Sequence, residues 1–141
     1  MIMKQIFYDL LKIGLAILTA SIVGAERKKS GKPIGMRTLS LVCIGSTLAT
    51  VLVVNHAPLE VGRALAGIVT GVGFLGAGSI IAHGTSVRGL TTAAAVWAIA
   101  IIGVAIGLGE FLLALVVTLL IFFILSEGRK LESINTTKLR R

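Results

Sequence analysis

The chain has 141 residues, of which 55% are hydrophobic and only 14% charged, too apolar a composition for a soluble domain of this size and one that belongs in lipid. Its net charge of +8 would point to nucleic acid in a soluble protein. Here the basic residues gather in short segments between apolar runs, where they orient a chain in a bilayer, and no nucleic-acid partner is expected.

Residues 6 to 25 are long enough to cross the hydrocarbon, which takes about 20 residues. Asp9 and Lys12 interrupt this segment and Arg27, Lys28, Lys29 and Lys32 follow it, so it is a retained span and not a cleaved signal peptide. Asp9 and Lys12 are three apart and share a helix face, where each can partly neutralise the other. Lys12 lies roughly 9 Å inside the span at the helical rise, placed to snorkel or to face the bundle interior in a structural role. Gly31, Pro33 and Gly35 break the helix in the polar turn over 26 to 35.

The second span runs from 36 to 55, and a loop with His56, Pro58 and Glu60 leads to a third over 63 to 82. Within the third, Gly67, Gly71 and Gly78 fall on one face at 100° per residue, whereas Gly73 and Gly76 fall nearly opposite. A helix thin on two sides is expected in the middle of the bundle, or as one half of a dimer contact, because close backbone approach is what holds helices together in lipid. A polar hinge over 83 to 88 joins it to a fourth span over 89 to 107, packed back to back with the third. The fourth ends in Gly103-x-x-x-Gly107, a further small-residue contact. The fifth span, 111 to 125, is rich in Leu, Val and Phe and nearly free of glycine, as befits a lipid-facing outer helix. The expected class is therefore an all-α bundle of five transmembrane helices, with residues 1–126 as the membrane domain and 127–141 as a short basic cytoplasmic tail.

Gly71-Val-Gly73-Phe-Leu-Gly76 matches a dinucleotide-binding pattern, but no strand precedes it, it lies in an apolar span, and residues 91 to 96 (TTAAAV) lack the acidic partner. It reads as helix packing. The single cysteine, Cys43, has no second thiol for a disulfide or a metal. His56 and His83 are isolated, and no spacing gathers serine, histidine and carboxylate on one face, so no metal, cofactor or catalytic constellation is expected. One polar constellation remains. Glu26 and Arg27 end the first span, Arg37 and Thr38 open the second, and Arg88, Thr91 and Thr92 open the fourth, all on the same membrane face. Glu26 opposes the dipole at a helix C-terminus and calls for a basic partner, with Arg37 and Arg88 as candidates. The group is either a clamp that fixes helix positions or a site for an anion or a partner protein.

Gly24-x-Glu26-Arg27, Gly35-Met-Arg37-Thr38, Arg63, Gly71-Val-Gly73-Phe-Leu-Gly76-Ala-Gly78 and Gly89-Leu-Thr-Thr-Ala-Ala94 followed by Trp97 stand in the order found in the MgtC/SapB family of bacterial inner-membrane proteins, which the chain resembles over about residues 10 to 125. The resemblance implies a small multi-pass helical protein of the bacterial cytoplasmic membrane, linked to growth at low magnesium and, in pathogens, to survival inside macrophages. The best-described member of that family binds and restrains the membrane ATP synthase. Some members carry an ACT-like domain after the last span, for which the tail here is too short. Many have an aspartate where Glu60 stands before Arg63, and a glutamine where Gly67 stands.

Together these features lead us to expect a non-enzymatic membrane regulator that works through helix contacts, with the lipid bilayer, a second copy of itself or another membrane protein as its partners. A magnesium carrier or channel formed by an oligomer is the competing expectation. It should need carboxylates facing a wet path in mid-membrane, whereas Asp9, Glu26, Glu60 and Glu110 all fall near interfaces.

The basic residues also set an orientation. Arg27, Lys28, Lys29, Lys32, Arg37, Arg88, Arg129, Lys130, Lys138, Arg140 and Arg141 fall on one side, against Lys4 and Arg63 on the other, so the N-terminus is expected outside and the C-terminus inside. With Cys43 replaced, a cysteine introduced at position 57 should react with an impermeant reagent added to intact cells, and one at 30 or 135 should not. Labelling at 30 from outside would reverse the orientation.

Overall fold

The computed structural model describes residues 2–138. Five helices, α1 (Ile2–Lys29), α2 (Met36–His56), α3 (Val61–Ala77), α4 (Leu90–Leu108) and α5 (Phe111–Lys138), follow one another in the chain. A short 3-10 turn, Pro58–Glu60, leads into α3, and with that turn all five are long and apolar enough to cross a membrane. Asp9 meets Asn55, Lys12 meets Gly107 and Tyr8 meets Phe111, so the start of α1 lies beside the ends of α2 and α4 and the start of α5. Helices therefore alternate in direction, and the turn after α1, the α3–α4 connection and the end of α5 share the opposite, basic end.

The α3–α4 connection differs from the expected hinge. Helix α3 stops at Ala77, five residues before the anticipated end, and residues 81 to 88 form an antiparallel hairpin of β1 (Ile81–His83) and β2 (Ser86–Arg88), in which Ile81 pairs with Arg88 and His83 with Ser86. Gly76 and Gly78 weaken the helix there, and the Ser79 hydroxyl donates to the Gly76 carbonyl at 2.7 Å, satisfying one of the terminal acceptors. The two-residue loop places Gly84 at a φ of 58°, and Gly89 follows β2 at a φ of 92°. A Cβ on Gly89 would overlap the Ser79 carbonyl oxygen, so the chain can re-enter the bundle here only through glycine.

Helix α4, not α3, is the centre of the bundle. Of the most apolar stretch of each, 56% of residues are buried in α4 and 11% in α3. Ala95, Val96, Ile99, Ala100, Ile102 and Ile106 of α4 make the core with Ala16, Ala20 and Val23 of α1, Leu39 and Cys43 of α2, and Ala114 and Leu125 of α5. The glycines divide accordingly. Cβ atoms built on Gly103 and Gly107 would come within 2.5 Å of the Cys43 carbonyl oxygen and the Thr50 Cβ of α2. Thr47 completes this contact by donating its hydroxyl to the Gly103 carbonyl at 2.9 Å. Cys43, Ser46, Thr47 and Thr50 are spaced i, i+3, i+4, i+7, so α2 presents a continuous small and polar stripe to α4. Gly24 serves the same purpose between α1 and the start of α2, where a Cβ would overlap Met36.

Of the five glycines expected to pack α3, only Gly76 does so against another helix: its Cβ would lie 3.3 Å from the Ala93 carbonyl of α4, the back-to-back contact anticipated from sequence. Gly78 meets only the last turn of its own helix, and Gly67, Gly71 and Gly73 face open space, because α3 sits at the flank of α2 and α4 and leaves most of its surface outward. Gly67 and Gly71 border a shallow apolar groove with Leu41, Val42 and Gly45 of α2.

Lys12 is buried and faces the interior. Its Nζ donates to the Gly107 carbonyl at 2.8 Å and lies 5.0 Å from the centroid of the Tyr8 ring. A cation thus caps the carbonyl end of α4, where the helix dipole is negative. The expected partnership with Asp9 does not form. Asp9 instead accepts from the Gln5 and Asn55 amides at 3.2 Å each. Helix α5 continues past the expected span to Lys138, so the tail is helical over that length; residues 139–141, with Arg140 and Arg141, lie outside the described residues.

Gly103→Leu or Gly107→Leu should lower the yield of folded protein and its thermal midpoint in detergent, since overpacking costs about 1–3 kcal/mol or more. Gly71→Leu should leave the isolated chain's midpoint near wild type. Equal losses from both sides would contradict the assignment of α4 as the centre.

Candidate functional site

At the basic end, the last turn of α1 carries two charged side chains almost wholly withdrawn from the surface, Glu26 at 4% exposure and Arg27 at 3%. Arg27 donates through Nε to Glu26 Oε2 at 2.6 Å, and the Ser30 hydroxyl donates to Glu26 Oε1 at 2.5 Å. Burial of a carboxylate is costly unless it is paired and hydrogen-bonded, and both of its oxygens are engaged. Arg27 also lies where the α1 dipole favours a cation, while Glu26 lies where it disfavours an anion, so the pair is held in opposition to the dipole at one residue and with it at the next.

Among the described residues the ion-pair partner of Glu26 is therefore its neighbour, and not Arg37 or Arg88. Both arginines are exposed and neither forms an ion pair with Glu26. Adjacent helix residues point about 100° apart and are not ordinarily partners, which is why the spacing directed attention elsewhere. Arg27 bridges the angle because its long side chain uses Nε, the guanidinium nitrogen nearest the backbone. Its outer nitrogen Nη1 is buried with no hydrogen-bond partner.

Beside this pair a cleft of about 220 Å³ opens between the ends of α1 and α5 and the start of α4. Arg27, Ser30 and Lys32 line it from α1 and the following turn, Thr91 from the first turn of α4, and Ile124, Leu125 and Gly128 from α5. Of the sequence candidates, Glu26, Arg27 and Thr91 thus come together at or beside the cleft. Thr92 is buried in the same turn of α4, and Arg37, Thr38 and Arg88 are exposed outside it. Sequence reasoning missed Ser30, although its position four residues after Glu26 was a usable signal. It also missed Lys32, Ile124, Leu125 and Gly128. The α5 residues carried no signal, because their place depends on how α5 lies against α1.

The opposite end holds an exposed pair, Arg63 to Glu60 at 3.1 Å, of the surface kind that contributes little. Among the described residues no group of three or more His, Cys, Asp or Glu side chains is placed to hold a metal.

A family model described as the MgtC family matches residues 13–134. The chain belongs to the MgtC family. Protein MgtC of Salmonella typhimurium is 43% identical over 115 residues, covering 82% of this chain and 50% of that protein. Two further relatives are the Escherichia coli K12 protein named "Putative magnesium transporter YhiD", 40% identical over 124 residues (79% of this chain, 58% of the relative), and protein SrpB of Synechococcus elongatus, 36% identical over 135 residues (85% and 74%). The chain spans about half the length of the MgtC proteins it matches. No solved structure matches. In this member of the MgtC family, then, four helices pack around α4, with a buried ion pair and a cleft at the basic end.

Glu26→Gln should destabilise the protein by about 3–5 kcal/mol if the arginine left behind stays fully buried, because an uncompensated charge remains. The double change Glu26→Gln with Arg27→Gln should recover much of that loss. The check is a double-mutant cycle on thermal unfolding in detergent, and additive effects of the two single changes would remove the coupling.

Proposed function

We propose that the chain is a non-enzymatic regulator of the bacterial cytoplasmic membrane, linked to magnesium limitation and acting through helix contacts with a larger membrane complex such as the ATP synthase. The observation that carries this proposal is the filled interior. Branched aliphatic and alanine side chains from four helices surround α4, and the charged side chain buried inside its far end is a cation, Lys12, bonded to a backbone carbonyl. Divalent cations require oxygen ligands and shed water reluctantly, so a route through one copy would need carboxylates in the core. Asp9 lies in the first part of α1, Glu26 in its last turn, Glu60 and Glu110 in the connections between helices, and Glu127 and Glu132 past the apolar run of α5. The orientation proposed is N-terminus outside and C-terminus inside, which turns the cleft and its basic rim to the cytoplasm.

The second function considered is a cation carrier, favoured by the name that YhiD bears. It would require a path between copies, and the uncovered groove of α2 and α3 is where a second copy would approach. Magnesium flux into proteoliposomes separates the two, together with growth of a deletion strain at low magnesium and affinity capture from native membranes. The regulatory proposal expects a growth defect at low magnesium, recovery of a membrane complex with the tagged chain, and no flux above empty vesicles. Flux that saturates with magnesium would overturn it.

A further inference from the structure

We propose that the cleft at the basic end is a binding site for a phosphate group, with Arg27 as its principal ligand. Arg27 combines two properties rarely found together without a ligand: it is 97% withdrawn from the surface, at 3% exposure, and its Nη1 is left without a hydrogen-bond partner while the side chain lines a cleft. An unpaired buried guanidinium nitrogen forfeits a hydrogen bond to water, which an oxyanion in the cleft would replace. The Glu26 carboxylate does not fill that role, because it engages Nε and lies outside the lining of the cleft.

A second, independent feature converges on the same space. Helix α4 starts at Leu90 behind Gly89, with no side chain capping its first turn, and Thr91 of that turn lines the cleft. The uncapped N–H groups and the positive end of a 19-residue helix dipole are a standing preference for phosphate. Lys32 adds a mobile cation on the rim, and guanidinium with ammonium is a usual pairing for a tetrahedral oxyanion.

The size and walls of the cleft narrow the ligand. At about 220 Å³ it falls below the roughly 300–1,000 Å³ of ordinary small-molecule sites, which suits a phosphate group with the rest of its molecule outside the cleft. Its α5 wall is Ile124 and Leu125, the last residues of the apolar run before Ser126, so the cleft sits at the boundary between hydrocarbon and headgroups. A phospholipid would place its phosphate at Arg27 and its chains along that wall. Free inorganic phosphate would use the same polar ligands from the aqueous side.

The test is thermal unfolding of the 141-residue chain in a maltoside detergent that carries no phosphate, with inorganic phosphate titrated in, and in mixed micelles of the same detergent with phosphatidylglycerol. Stabilisation by phosphatidylglycerol that inorganic phosphate does not reproduce identifies a lipid source. Stabilisation by inorganic phosphate in the detergent alone identifies free phosphate. In either case Lys32→Ala, in an exposed turn, should weaken the apparent affinity about ten-fold, the effect of one charge-assisted bond, while Lys4→Ala at the far end should not. The double change Glu26→Gln with Arg27→Gln removes the pair without stranding a charge and should abolish the response. No stabilisation by either probe, or a response that Lys32→Ala retains in full, would overturn the site whatever the double variant's ability to fold.

Discussion

The bundle depends on the contact between α2 and α4. Lipid is as apolar as leucine, so nothing like the hydrophobic effect drives two spans together, and proximity of backbones has to supply the attraction. Gly103 and Gly107 supply it by letting α4 approach α2 until their missing Cβ atoms would have met the Cys43 carbonyl and Thr50. The hydroxyl of Thr47 then reaches the Gly103 carbonyl, a bond with no water to compete for either group. With that seam closed, α4 has further faces free for α1, α3 and α5, and it becomes the most buried of the five helices, with Leu90 and Trp97 left on its outward side.

The two ends of the bundle handle charge differently. At the end where α1 begins, Lys12 caps α4 through a backbone carbonyl and rests near the Tyr8 ring, so a cation is absorbed into the packing of two helices. At the basic end, Glu26 and Arg27 are buried together, with Ser30 holding the second carboxylate oxygen. The first arrangement leaves nothing over. The second leaves Arg27 Nη1 without a hydrogen-bond partner in a side chain that also lines a cleft, which is the basis of the proposed phosphate site.

Membership of the MgtC family places the fold among bacterial membrane proteins, one of whose relatives bears a name tied to magnesium. The filled core agrees better with a protein that acts by contact than with one that carries ions through a single copy. On α3, Gly67 and Gly71 border the groove with α2, and a Cβ at either would lie more than 4 Å from the described residues of the other helices, so a contact there would cost little in packing.

By itself the sequence determined that the chain has five spans, nearly where the second to fifth begin, and that polar and basic groups collect at one end, because hydrocarbon thickness and the cost of charge in lipid act on composition alone. It also carried the Gly103-x-x-x-Gly107 contact and the approach of Gly76 to α4, since spacing along one helix is a local property. Which helix stands in the middle was decided only by tertiary structure: the glycine count favoured α3, yet small residues show where a backbone can be approached and not whether a neighbour arrives. The hairpin after Ala77 followed the same logic, as the apolar run Ile80-Ile81-Ala82 fits a strand or a helix equally well until Gly89 must pass Ser79. The pairing of Glu26 with Arg27 was likewise beyond sequence periodicity. Adjacent residues on a helix point apart, and only burial among α1, α4 and α5 gives an arginine reason to fold back on its neighbour.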